Sequence, residues 1–250
     1  MNRIKFLDSP MDIASMGETV DYIKNRILDG KFTQHVVVNV AKLVNMKKDP
    51  ELAQSVTECD IINIDGMGVV WGARFVGHDV SERVAGVDLF MELNKMAEQE
   101  ALPVFYLGAT EEVVAETAAK MQSLHPDLNI VGAHHGYFWD DEQSVVDKIR
   151  ESGAKMLFVA ITSPKKENFI NRWKSQLGVN FVMGVGGTFD VVAGKVERAP
   201  VWMQNSGLEW FYRVVQEPGR MWKRYATTNT SYAWLLLQEK TKKRDAFKSS

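Results

Sequence analysis

Residues 61–77 read IINIDGMGVVWGARFVG. A short, mostly apolar run reaches a carboxylate, Asp65. Gly66, Gly68 and Gly72 then lead through a segment with helical spacing. An acidic residue at the end of a buried strand next to a glycine turn admits three roles. It can cap the following helix, anchor a nucleotide, or act as a catalytic base.

Outward from this stretch, apolar runs of strand length alternate with amphipathic segments of helical length. Strands are predicted at 35–40, 60–64, 103–108, 128–133, 155–161 and 180–186. Helices are predicted near 15–29, 48–58, 67–76, 87–100, 111–124, 141–152, 165–176 and 188–194. Continuous apolar strands separated by helices predict an α/β fold, a parallel sheet covered by helices on both faces.

The polar punctuation follows one rule. Asn39 closes the first strand and Asp65 the second. Gly108 and Thr110 follow the third. HHGYF (134–138), TSPKKE (162–167) and GGTFD (186–190) follow the last three. In an open parallel sheet the C-terminal strand ends share one edge, where ligands bind. Six separate loops are thus expected to converge on one crevice.

GMGVVWG (66–72) is one residue longer than the dinucleotide fingerprint. Asp88 lies about where that fingerprint needs an acid, but AGVDLFMEL reads as a helix start. The nicotinamide fingerprint is therefore incomplete, and Gly72 is read as a point of close helix–sheet packing. Arg83 is either an ordinary surface arginine or a fork for a diphosphate. His134 and His135 are adjacent and lack companions for a metal set. Asp140, Asp141 and Glu142 open a helix, where acids are normal, so no metal is predicted. Gly186 and Gly187 permit close backbone approach to a ligand. Asp190 can accept hydrogen bonds from a nucleobase or ribose, or cap the next helix.

Over 250 residues the net charge is −2, so the balance as a whole does not point to nucleic acid. It is uneven, however: residues 1–197 carry 20 basic and 28 acidic side chains, and residues 198–250 carry 10 and 4. A basic tail (198–250) on an acidic core (1–197) suggests an anionic partner such as phosphate or a membrane surface. Cys59 is the only cysteine, which fits a reducing compartment, and it reads as a buried structural thiol. No secretory leader and no apolar run of the roughly 20 residues that span a bilayer is recognised, so a cytosolic location is expected. In NSGLEWFYRVVQEPGRMWKRY (205–225), Leu208, Phe211, Tyr212 and Val215 lie at helical spacing. Arg213, Arg220, Lys223 and Arg224 add charge, and Trp210, Trp222 and Trp234 add aromatics. This pattern suits a membrane-surface helix, or an ordinary C-terminal helix packed on the core. An exposed apolar tail can also bind a second subunit.

Taken together, DGMGVVWGARFVG, ERVAGVDLF, FYLGAT, IVGAHHGYF, SPKKE and GVGGTFDVVAGKVERAPVWMQNSGLEWFYRVVQEPGRMWKRY resemble the WecG/TagA/CpsF family, glycosyltransferase family 26. The resemblance covers roughly residues 35–225. It implies a Rossmann-like core of the GT-E type with a C-terminal appendage. It also implies inverting transfer from a UDP-sugar to a sugar on a polyprenyl diphosphate, without metal or other cofactor, at the inner face of a bacterial membrane. By the same resemblance Asp65 is the general base, Asn39 a pocket asparagine, and Arg83 a diphosphate contact. Tyr137 and Asp190 would meet the nucleotide, and Arg213, Arg220 and Arg224 the lipid diphosphate. Many members have T-x-N where this chain has Val37-Val38-Asn39, and S-P-K-Q-E where it has Lys166 in place of Gln. Those positions belong to the sugar-binding region, so the donor is expected to be UDP-N-acetylmannosamine or a hexose such as UDP-glucose. Lys166 is expected near the donor. Two other classes are carried alongside: a nicotinamide-dependent oxidoreductase, and a non-catalytic nucleotide-binding or membrane-scaffold protein.

Overall fold

The computed structural model describes residues 1–248, apart from the side chains of Asn205, Arg220, Met221, Arg224 and 243–248. An N-terminal hairpin, β1 (Asn2–Phe6) and β2 (Ser9–Ile13), leads into α1 (Met16–Leu28) and β3 (Thr33–Val38). Two short helices, α2 (Val40–Met46) and α3 (Pro50–Thr57), connect to β4 (Ile61–Ile64), followed by α4 (Met67–Phe75) and α5 (Gly86–Gln99). Strands and helices then alternate: β5 (Val104–Gly108), α6 (Glu111–Leu124), β6 (Ile130–His134), α7 (Glu142–Glu151), β7 (Met156–Ala160), α8 (Lys165–Trp173), β8 (Phe181–Gly184) and α9 (Thr188–Val192). The tail forms α10 (Val201–Asn205), α11 (Glu209–Gln216) and α12 (Pro218–Lys248).

One eight-stranded sheet has the order β1-β2-β4-β3-β8-β7-β5-β6. Only the edge strand β1 is antiparallel to its neighbour. This is the α/β, Rossmann-like architecture expected. The six predicted strands are present as β3 to β8, each within two residues of its predicted bounds.

Strand alternation explains the two-sided burial. Val104, Tyr106, Met156, Phe158, Phe181 and Met183 pack against one layer, built from α1, α5, α6 and α9. Their neighbours Phe105, Leu107, Leu157, Val159 and Val182 pack on the opposite face with α7 and α8. Val36, Val38, Ile62 and Ile64 pack with α2, α3 and α4. Each fully buried aliphatic or aromatic side chain contributes roughly 1.5–3 kcal/mol.

Three features differ from expectation. The N-terminal hairpin was not predicted; its two-residue turn, Leu7 and Asp8, has φ of 51° and 64°, the positive-φ pair that suits a tight hairpin. The tail segment 205–225 is not one helix. Pro218 disfavours helical backbone at Glu217, whose φ of −133° and ψ of 66° end α11, and α12 starts there. Gly72 serves helix–helix rather than helix–sheet packing: a Cβ there would lie 2.0 Å from the Tyr232 hydroxyl of α12.

Candidate active site

Asp65 stands at the end of β4, held from both sides by backbone bonds. Its N–H donates to the Val38 carbonyl at 2.9 Å, and Val84 N–H donates to the Ile64 carbonyl at 2.8 Å. The first bond brings Asp65 beside Asn39; the second docks the Arg83 segment on the same strand end. Asp65 does not cap α4. Gly66 takes the N-cap position with φ of 109°, and no side chain caps that helix. Positive φ there is the reason for glycine.

The carboxyl of Asp65 is half-buried, and its pKa lies above the ordinary value of 3.8. Burial is the main cause, and the nearby Glu209 carboxylate adds to it; Arg83, Arg213 and Lys42 pull the other way. Glu209 comes from α11 in the tail. Arg83 Nη1 donates to Glu209 Oε2 at 3.0 Å, and Arg213 Nη2 lies 4.0 Å from Glu209 Oε1. Beside them Arg198 grips Asp88 with both arms of its guanidinium, Nη2 to Oδ2 at 2.8 Å. Met67, Ser81, Arg83, Asp88, Arg198 and Gln204 line an open cleft of about 610 Å³.

Asn39 caps α2. Its Oδ1 accepts from Lys42 N–H at 3.0 Å, and the residue is exposed, leaving its amide at the surface. Val37 is half-buried, 3.5 Å from where a Cβ on Gly86 would lie. Lys166 is not at the cleft surface. It is buried, and both its ammonium and that of Lys42 sit 2.7 Å from Glu167 Oε1. Burial, then the neighbouring Lys42, lowers the Lys166 pKa to about 8. Burial alone would raise Glu167, but Lys42 and Lys166 hold it at about 2. Glu167 Oε2 is buried without a hydrogen-bond partner.

The other expected residues lie further along the strand ends. Gly186 has φ of 56°, and Gly187 is the N-cap of α9. Asp190, half-buried, is in the first turn of that helix. Gly108 has a packing reason to be glycine: a Cβ would lie 2.3 Å from the Ala160 carbonyl oxygen. Tyr137 is 71% exposed, on the loop after β6, and its N–H donates to His135 Nδ1 at 3.1 Å. Five strand spacings separate β4 from β6, roughly 24 Å at the usual spacing. Asp65, Asn39, Arg83 and Arg213 thus gather at one end, Gly186, Gly187 and Asp190 lie mid-sheet, and Gly108 and Tyr137 lie towards the far edge. Arg220 and Arg224 fall on α12, and their side chains are outside the described residues. Among the described residues no three His, Cys, Asp or Glu side chains are grouped to hold a metal ion.

Sequence reasoning missed Glu209, Arg198 and the partners of Lys166. Glu209 carried one signal: it is the single acid in residues 198–216, an otherwise basic and apolar stretch. Asp88 was weighed only as a ribose ligand.

The sequence model of the glycosyl transferase WecG/TagA/CpsF family matches residues 4–246. An N-acetylglucosaminyldiphosphoundecaprenol N-acetyl-beta-D-mannosaminyltransferase of Bacillus subtilis (strain 168) is 33% identical over 225 residues, covering 90% of this chain and 87% of that protein. A protein of the same name from Bacillus spizizenii (strain ATCC 23059 / NRRL B-14472 / W23) is also 33% identical, covering 90% of this chain and 85% of its own length.

Proposed function

The chain belongs to the WecG/TagA/CpsF family of glycosyltransferases, and from that premise we propose that it transfers a sugar from a UDP-sugar to a sugar carried on a polyprenyl diphosphate, with inversion. The observation that carries the proposal is the placement of Asp65 at the end of β4, with the segments of Asn39 and Arg83 tied to the same strand end by backbone bonds. An acceptor hydroxyl attacks the anomeric carbon, the bond to UDP breaks, and Asp65 takes the hydroxyl proton. Arg83 meets the charge that grows on the departing diphosphate. Asn39 offers its exposed amide to the sugar, and Gly186, Gly187 and Asp190 face the nucleotide, with Gly108 and Tyr137 further along the same edge.

The names of the two relatives support an N-acetylmannosamine-type donor and a diphosphate-linked acceptor sugar. Val37 keeps a hexose donor such as UDP-glucose in the panel. Among the described residues no helix is long and apolar enough to cross a membrane. Exposed Trp202, Phe211, Val215, Trp222, Trp234 and Leu237 on the basic tail support peripheral attachment to the inner membrane face, where the acceptor lipid resides. Incubation with a panel of UDP-sugars and a lipid-diphosphate acceptor, followed by mass spectrometry of the glycolipid, tests the proposal. A mass increase of one sugar is expected from one donor; no product from any donor would refute it.

A further inference from the structure

Asp88 and Glu82 line the cleft with Arg83 and Arg198, and Asp65, Glu209 and Arg213 adjoin them. A diphosphate entering this cluster meets carboxylates as well as donors. Asp88 is held bidentately by Arg198, and Asp65 is fixed to the strand end by its backbone. Glu209 alone rides on the tail. Its helix, α11, fully buries none of its residues. Weak contacts tie α11 to the preceding loop: Tyr212 Oη to Glu197 Oε2 at 3.4 Å, and Gln216 Nε2 to the Glu197 carbonyl at 3.3 Å.

We infer that Glu209 is a built-in competitor for the donor's diphosphate: its carboxylate occupies the Arg83 guanidinium until a nucleoside diphosphate displaces it. The inference rests on the proposed assignment of Arg83 to the diphosphate. The geometry suits the role. A carboxylate and a phosphate use the same fork of donors. Arg83 and Glu209 side chains are only 13% and 24% exposed, so their attraction is not fully screened. Displacement breaks the Arg83–Glu209 contact between core and tail and leaves Arg83 facing the anion in place of Glu209. Donor binding and the position of the tail are then linked, each biasing the other.

Titration calorimetry with UDP on the full chain tests this. Glu209→Gln removes the competing charge, and Glu209→Asp keeps the charge but shortens the arm that reaches Arg83. Both are expected to bind UDP roughly 5- to 10-fold more tightly than the parent, the scale of one charge-assisted bond. Arg83→Gln is expected to weaken binding. If Arg83→Gln leaves UDP affinity unchanged, the assignment of Arg83 falls and takes the inference with it. If Arg83→Gln weakens binding but the Glu209 variants match the parent, only the competitor role is overturned. Tighter binding in Glu209→Gln with none in Glu209→Asp would mean that the effect is bulk charge, and would also overturn it. Thermal melts of each variant establish that the folded proteins are being compared.

Discussion

The Tyr232 hydroxyl donates to the Gly68 carbonyl at 3.0 Å across 164 residues of chain. The ring is buried in the notch that Gly72 leaves on α4. One tyrosine from the tail thereby docks α12 against the helix that starts beside Asp65, and α11 lies between them in sequence.

This contact makes the tail's position testable. In Gly72→Ala the new methyl overlaps the Tyr232 ring, so α12 must lift. Transfer to a lipid acceptor should fall at least tenfold, while UDP affinity should hold or rise, because a lifted tail draws Glu209 away from Arg83. Tyr232→Phe loses one hydrogen bond and should cost about 0.5–1.5 kcal/mol of stability. Acceptor-dependent turnover and a denaturant melt measure the two. Full activity in Gly72→Ala would show that the docked tail is not needed.

Asp65 predicts opposite effects on rate and stability. Its folded pKa lies above the unfolded value, so the folded state favours its protonated form. That favourable contribution is present below the unfolded pKa and is lost as pH rises through the folded pKa. At pH 7 the ionised carboxylate is therefore a cost to the fold, and Asp65→Asn should melt at a higher temperature than the parent. The acid limb of kcat/KM should have its midpoint above 3.8, and Glu209→Gln, by removing a repelling charge, should move it down.

The buried Lys42–Glu167–Lys166 cluster holds two cations on one carboxylate. Lys166→Gln leaves a one-to-one pair and should change stability by less than about 1 kcal/mol. Glu167→Gln leaves two uncompensated ammoniums and should cost about 3–5 kcal/mol. The pH signs follow from the shifts. Glu167 at about 2 gives stability present above 4.5 and lost as pH falls towards 2. Lys166 at about 8 makes stability rise between pH 8 and 10.5, because the unfolded chain binds the extra proton there. Chemical denaturation across pH checks both.

The parallel core was legible because strands buried on both faces are written as unbroken apolar runs, as in Met156–Ala160. The edge hairpin was not. NRIKFLDSPMDI mixes charges and a proline, and its strands exist through pairing, Arg3 to Asp12 among them. α2 was missed because it has seven residues and starts directly after β3, so Asn39 looked like a strand end alone. At the candidate site, Asp65 stood out in the sequence by its place at a strand end, and Arg83 by the family resemblance. Glu209 did not, since nothing local says that a tail helix folds back 126 residues to meet Arg83. Lys166 illustrates the converse: the family resemblance placed its charge near the donor, and burial against Glu167 was a tertiary fact.

The proposed transfer turns on Asp65 as the group that takes the acceptor's proton. The most direct measurement is turnover of Asp65→Asn on a lipid-diphosphate acceptor, made alongside UDP affinity on the same preparation. A fall of roughly 10²–10⁴-fold in turnover, with UDP affinity nearly unchanged, is the predicted result. Turnover equal to the parent's in a folded, UDP-binding variant would contradict it.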